Sequence, residues 1–160
     1  MSAPSPNQDA KPLPPRKLYR VDNRRYIDPD FLGQERTQVF GRTWLIAGRS
    51  SALPKPGSYQ VLDELNESII LVRDTDGAAM AFHNVCRHRG NRLLEGRGSV
   101  SDIACPYHGW RFALNGTSTS IPRPEGLRGE LREGSGLDPI RCTEWGGFIW
   151  ICMSDEAPDL

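Results

Sequence analysis

Residues 86–110 read "CRHRGNRLLEGRGSVSDIACPYHGW". The stretch holds two of the chain's four cysteines and two of its three histidines. They fall in two short arms, Cys86-x-His88 and Cys105-x-x-His108, with the 16 residues from Arg89 to Ala104 between them. Each arm therefore pairs one thiol with one imidazole, rather than two groups of a kind.

Three chemistries use such residues. A mononuclear zinc site takes four Cys and His ligands. A Cys/His pair can serve as nucleophile and base. An iron–sulfur cluster can carry two histidines in place of two cysteines on one of its irons. The symmetry of the arms favours the last. A zinc finger of the common type draws its cysteines from one hairpin and its histidines from a helix, and a nucleophile needs no second copy of the pair. A two-iron cluster gripped by two loops needs a thiolate for one iron and an imidazole for the other from each loop. Gly90 and Gly109 closely follow the two histidines and are expected to leave room for backbone N–H groups to approach bridging sulfides.

Composition bounds the setting. At 160 residues the chain suits one domain with a substantial core. Twenty basic side chains balance 20 acidic ones, so net charge gives no reason to expect nucleic acid or an anionic membrane as partner. No apolar run approaches the roughly 18 residues of a membrane-spanning helix. The opening "MSAPSPNQDAKPLPPRK" lacks the apolar segment of a secretory signal. A cytoplasmic location is the expectation, where structural disulfides are rare. Short-spaced cysteines and histidines then read first as metal ligands.

Along the chain, residues 1–25 read as a proline-rich disordered leader. Residues 26–43 read as a helical lead-in starting near Asp30, capped by Asp28 or Asp30 and ended by Gly41, with Phe31, Val39 and Phe40 as a sparse apolar face. From Trp44 to Met153, short apolar or alternating runs separated by turn residues predict an all-β domain. Three hairpins are expected: at Asp74–Gly77, at Asn115-Gly116 and at Gly146-Gly147. If the last has a two-residue loop, Trp145 lies opposite Phe148 and Cys142 opposite Ile151. Cys142 and Cys152 then point to opposite faces and cannot bridge. Pro122–Gly136 reads as a long surface loop, and residues 154–160 as a tail or the start of a further domain.

The pattern C-x-H, a mid-length spacer and C-x-x-H resembles the signature of Rieske [2Fe–2S] domains. "CRHRG…CPYHGW" is most similar in kind to the large subunits of Rieske non-haem iron, or ring-hydroxylating, oxygenases. "FGRTWLIAGRSSAL" before it and "EWGGFIWICM" after it extend the likeness over about residues 26–153. The resemblance implies a Rieske-type antiparallel β domain with two cluster-binding loops behind a short N-terminal helix. It implies that Cys86 and Cys105 bind the buried iron and His88 and His108 the outer one, with Arg89, Gly90, Tyr107, Gly109 and Trp110 around them. His83 matches no ligand position and reads as a hydrogen-bonded structural histidine.

Two ferric ions, two sulfides and two thiolates make a neutral oxidised core. Histidine ligation thereby raises the potential above that of an all-cysteine cluster. Reduction favours protonation of the exposed imidazoles. Between Cys86 and Arg111 five arginines (Arg87, Arg89, Arg92, Arg97, Arg111) outnumber two acids, Glu95 and Asp102. That excess is expected to favour the reduced cluster and an acidic electron donor. The respiratory type of Rieske protein carries a disulfide between its loops and a serine after the glycine that follows its second ligand histidine. Here there is no spare cysteine, and the serine's place is Trp110. Fewer donors to sulfur imply a lower potential, suited to oxygen activation.

The oxygenase likeness also implies a mononuclear Fe(II), held by two histidines and a carboxylate, in a catalytic domain absent from these 160 residues. Its expected partners are a ferredoxin or flavin reductase as electron donor and the catalytic domain as acceptor. Substrates in the family include aromatic rings and quaternary ammonium compounds, and a homo-oligomer is possible in a full-length subunit. The alternative is a free-standing Rieske ferredoxin-type carrier. A coding frame running past Leu160 into a D/E-x-x-H-x-x-x-x-H-like stretch separates the two.

Overall fold

The computed structural model describes residues 20–64, 66–122 and 136–160. Most of the expected leader, up to residue 19, and most of the expected surface loop, residues 123–135, lie outside the described residues.

The lead-in forms helix α1, Pro29–Gln38. Asp28 caps it, its carboxylate accepting the N–H groups of Asp30 at 2.9 Å and Phe31 at 3.5 Å, and Pro29 fills the first turn where no N–H is needed. The helix stops three residues before Gly41, and Phe40–Arg42 tighten into a 3₁₀ turn. The expected apolar face does not form a buried seam. No α1 residue is buried, and of the three expected apolar residues Val39 is exposed while Phe31 and Phe40 are half-covered. Apolar residues spaced this sparsely give the helix no continuous stripe to bury.

Ten antiparallel strands follow among the described residues: β1 Leu45–Arg49, β2 Ser58–Glu64, β3 Glu67–Arg73, β4 Ala79–His83, β5 Arg97–Ser99, β6 Ile103–Ala104, β7 Arg111–Phe112, β8 Ser118–Ser120, β9 Pro139–Trp145 and β10 Phe148–Cys152. Seven form one sheet in the order β1-β10-β9-β4-β3-β2-β5, and β6-β7-β8 form a second, smaller one. Side-chain alternation along β3 explains its unbroken apolar run. Ile70 and Val72 pack with Phe82, Ile103, Trp110 and Phe112 between the sheets, while Ile69 and Leu71 pack with Ala81, Ile140, Ile149 and Ile151 on the other side. Both faces of the strand are buried.

All three expected hairpins form. At Asp74–Gly77 the Asp74 N–H donates to the Ala78 carbonyl at 2.9 Å, joining β3 to β4. At Asn115-Gly116 the turn joins β7 to β8, with a register shift between Arg111 and Phe112 and strands shorter than the sequence implies. Gly116 also sits on the Phe82 ring: a Cβ there would lie 2.5 Å from it, and the Gly116 carbonyl accepts the Leu137 N–H at 2.8 Å. This contact seats the small sheet on the large one. At Gly146-Gly147, Trp145 pairs with Phe148 and Cys142 with Ile151, the expected register. Cys142 and Cys152 therefore face opposite ways, and all four cysteines are free. Burial pushes the Cys142 thiol up to about 12, so it stays protonated.

Arg73 at the end of β3 ties several segments together. Its guanidinium donates to the carbonyls of Leu53, Gly77 and Ser50, and to Glu144 on β9 at 3.0 Å. The Arg73 hydrogen bond holds the Glu144 carboxyl below its usual value of 4.5. A depressed carboxylate contributes stability that is present above its unfolded pKa and lost as pH falls through the folded one. Glu144→Gln is therefore expected to cost on the order of 2 kcal/mol at neutral pH and to flatten the loss of stability below pH 4.5. Urea melts at pH 7 and pH 3.5 measure both effects.

Candidate metal centre

The first arm leaves β4 and returns to β5; the second leaves β6 and returns to β7. Their backbones close alike. The Cys86 N–H donates to the Asn91 carbonyl at 2.7 Å and the Gly90 N–H to the Cys86 carbonyl at 2.9 Å. In the second arm Cys105 donates to Trp110 at 2.7 Å and Gly109 to Cys105 at 3.0 Å. Closing each turn takes φ of +71° at Gly90 and +74° at Gly109, which only glycine adopts without strain. The glycine N–H groups themselves close the turns, while the backbone N–H groups of His88 and Arg89 act on the Cys86 thiol.

The turns bring the four candidate ligands together in two pairs. Cys86 and Cys105 are both buried, near enough for Cys105 to act on the Cys86 thiol. His88 and His108 lie further out, half-buried, with Nδ1 atoms 3.2 Å apart and rings edge to face at 4.6 Å. Burial pushes the Cys86 thiol above its ordinary value and the neighbouring Cys105 adds to the rise, while the His88 and Arg89 N–H groups pull the other way. Burial, then the charges of His108 and Arg89, lower the His88 pKa below 6.5. At neutral pH the His88 ring is uncharged, the form that binds metal.

The flanking residues divide. Trp110 is 2% exposed, and its indole stacks on His88 at 5.0 Å with the planes 6° apart, so a residue of the second arm orients the histidine of the first. Tyr107 is 61% exposed and lies 3.9 Å from the His108 ring. The Arg89 side chain is exposed. His83 stands apart, its Nδ1 3.5 Å from Glu67.

The basic excess shrinks in three dimensions. Arg87 pairs with Asp138 at 3.1 Å, Arg92 with Asp63 at 2.8 Å and Arg111 with Asp102 at 3.0 Å. Two of these acids lie outside the 86–111 stretch, so counting within it overstated the charge. Arg89 and Arg97 have no ion pair among the described residues. Sequence reasoning also missed Asn84, buried two residues before Cys86, because a lone Asn at a strand end carries no motif.

The donor set fits a two-iron cluster. The thiols adjoin one another in the interior and the imidazoles adjoin one another outside, and among the described residues no three Cys, His, Asp or Glu converge where a single ion would sit. A mononuclear zinc needs all four ligands around one point. Two ligands apiece suit two metals bridged by sulfide.

An antiparallel β domain with paired Cys/His turns at one end defines a protein of the iron–sulfur class. The chain belongs to the Rieske [2Fe-2S] domain family, matched over residues 43–132. It is homologous to Rieske oxygenase large subunits. It is 35% identical over 89% of its length to the carnitine monooxygenase oxygenase subunit of Escherichia coli K12, and 36% identical over 83% to the glycine betaine monooxygenase oxygenase subunit of Chromohalobacter salexigens. The crystal structure of the quaternary ammonium Rieske monooxygenase CntA in complex with L-carnitine superposes with a TM-score of 0.81 at 30% identity, covering 86% of this chain and 39% of that one. Naphthalene 1,2-dioxygenase with indole in its active site gives 0.73 at 36% identity, covering 81% and 30%. The chain spans 38% of the length of the carnitine relative and 30% of the glycine betaine one. The cofactor of the family is the Rieske [2Fe–2S] cluster. Among the described residues no helix is long and apolar enough to cross a membrane.

Proposed function

We propose that Cys86 and Cys105 hold the inner iron and His88 and His108 the outer iron of a Rieske [2Fe–2S] cluster. We further propose that this domain delivers one electron at a time to the mononuclear iron of an oxygenase subunit. The observation that carries the reading is the pairing itself: two adjoining buried thiols, with two imidazole Nδ1 atoms 3.2 Å apart outside them. In this organisation residues 1–25 are a leader, 26–43 a helical lead-in, 44–153 the cluster domain and 154–160 the passage towards the catalytic portion. The donor is a ferredoxin or flavin reductase, the acceptor the catalytic domain, and the setting cytoplasmic.

The cluster, when bound, supplies one-electron chemistry at a potential set by its ligands and surroundings. The chain's residues do the rest. The buried cysteines keep water from the inner end of the site. The neutral His88 presents its Nδ1 towards that of His108, and Trp110 stacks on the ring. The half-buried histidines and exposed Tyr107 form the face at which an electron enters or leaves with the shortest path through protein.

For the substrate we propose a quaternary ammonium compound that is hydroxylated or demethylated with O₂. Support comes from the carnitine and glycine betaine relatives and from the higher TM-score of CntA, 0.81 against 0.73 for the aromatic-ring dioxygenase. Aromatic ring hydroxylation has less support, although the naphthalene 1,2-dioxygenase large component of Pseudomonas aeruginosa is 36% identical.

A redox titration of the anaerobically purified chain tests the electron-transfer role. With Trp110 in place of a hydroxyl donor, the expected midpoint lies near the low end of the Rieske range, about −150 mV. A midpoint in the range of the respiratory proteins, near +300 mV, contradicts it. His108→Cys adds a negative charge to the core and is expected to lower the midpoint by on the order of 100 mV or more if the cluster assembles.

A further inference from the structure

We infer that Asn84 is the positioning residue of the first arm. Its carboxamide fixes the distance between the chain that enters the arm and the chain that leaves it, and so sets where Cys86 and His88 face the second arm. The inference rests on the reading of Cys86 and His88 as ligands.

Asn84 is 4% exposed and directly follows β4. Its Oδ1 accepts the N–H groups of Leu93 and Leu94, each at 3.0 Å. Its Nδ2 donates to the Leu94 carbonyl at 2.8 Å and to the Ser68 hydroxyl at 3.1 Å. The Asn84 backbone N–H donates to the Ser68 carbonyl at 2.8 Å. One side chain thus bridges both ends of the ligand-bearing loop and anchors them to β3. The carboxamide has two donors and an oxygen with two lone pairs, and all four are used. Turned over, the amide would set its NH₂ against two N–H groups, so the network admits one orientation.

Neither leucine nor aspartate meets these demands. Leucine has the shape but leaves the Leu93 and Leu94 N–H groups without this partner in the interior, at a cost of about 1–3 kcal/mol each, and leaves the Leu94 carbonyl only its 3.2 Å hydrogen bond from Arg92 Nε. Aspartate keeps the acceptor but turns a second oxygen towards the Leu94 carbonyl. Inside the loop, the Cys86-to-Asn91 and Gly90-to-Cys86 hydrogen bonds shape the turn itself. Asn84 fixes the turn to the sheet.

The test compares wild type, Asn84→Ala, Asn84→Asp and Ser68→Ala, each loaded with iron and sulfide under anaerobic conditions. The readouts are the EPR spectrum after dithionite, the rate of iron loss to a chelator, and the melting temperature. Asn84→Ala is expected to release iron about 10-fold faster, the lower end of what removal of a ligand's support typically costs, and to shift the g values of the reduced signal. Asn84→Asp, which keeps the acceptor, falls between it and wild type. Ser68→Ala removes one hydrogen bond and speeds release about twofold. An Asn84→Ala protein that melts lower but keeps the wild-type spectrum and release rate overturns the inference, since its role is then only structural. If Asn84→Ala does not fold, a Ser68→Ala release rate equal to wild type overturns it. A wild type that binds no iron and sulfide refutes the ligand reading instead, so the two failures are distinguishable.

Discussion

Cys86→Ser removes the cluster. The Cys86 sulfur is buried near Cys105, and the backbone N–H groups of His88 and Arg89 pull its pKa down against the rise that burial causes. Those N–H groups stabilise a thiolate, and burial makes an unligated thiolate costly, so metal binding is what reconciles the two. A serine hydroxyl at this position is a far weaker acid and a hard oxygen donor, poorly matched to an iron–sulfur core. The rest of the arm has little reason to move, because its turn is closed by backbone hydrogen bonds that a serine also makes. Iron content is therefore expected to fall at least about 10-fold while the strand signature in circular dichroism persists. A serine variant that keeps two irons and two sulfides per chain contradicts the ligand assignment.

Trp110→Ala is the second large effect. The indole is enclosed between the sheets with Phe82, Ile103 and Phe112, and stacks on His88 across the gap between the arms. Truncation of a buried tryptophan costs about 3–5 kcal/mol, against a total stability of about 5–15 kcal/mol for a domain of ordinary size. It also frees the His88 ring from the plane that points Nδ1 towards His108. Trp110→Phe keeps an aromatic face against the imidazole, so it should lose less than half as much stability and retain most of the cluster. Urea midpoints at matched cluster loading, with iron content beside them, separate the two variants. Equal loss of iron from both would mean that the stack does not orient His88.

The chemistry of turns and the register they impose were legible from local sequence. Asn115-Gly116 and Gly146-Gly147 mark hairpins because the left-handed backbone is needed there, and a two-residue loop alone places Cys142 opposite Ile151. The spacing of the two arms pointed to four candidate ligands without any knowledge of the fold. What stayed hidden was long-range or weakly patterned. β5 and β6 have three and two residues, too few for alternation to register, so the division into two sheets could not be read. Arg92 and Arg87 find their acids 29 and 51 residues away, which no count within the loop reveals. Gly90 and Gly109 were legible as special positions, but the hydrogen bonds by which their N–H groups close each turn depend on the fold. The stack of Trp110 on His88 joins two arms whose relative placement the sequence leaves open.

The most direct test of the central claim is the iron, acid-labile sulfide and zinc content of anaerobically purified protein, with an EPR spectrum after dithionite. The ligand arrangement predicts two irons and two sulfides per chain and a rhombic reduced signal of the Rieske type. One zinc and no sulfide would contradict it: the paired arms would then be a structural clip, and the electron-transfer function would fall with them.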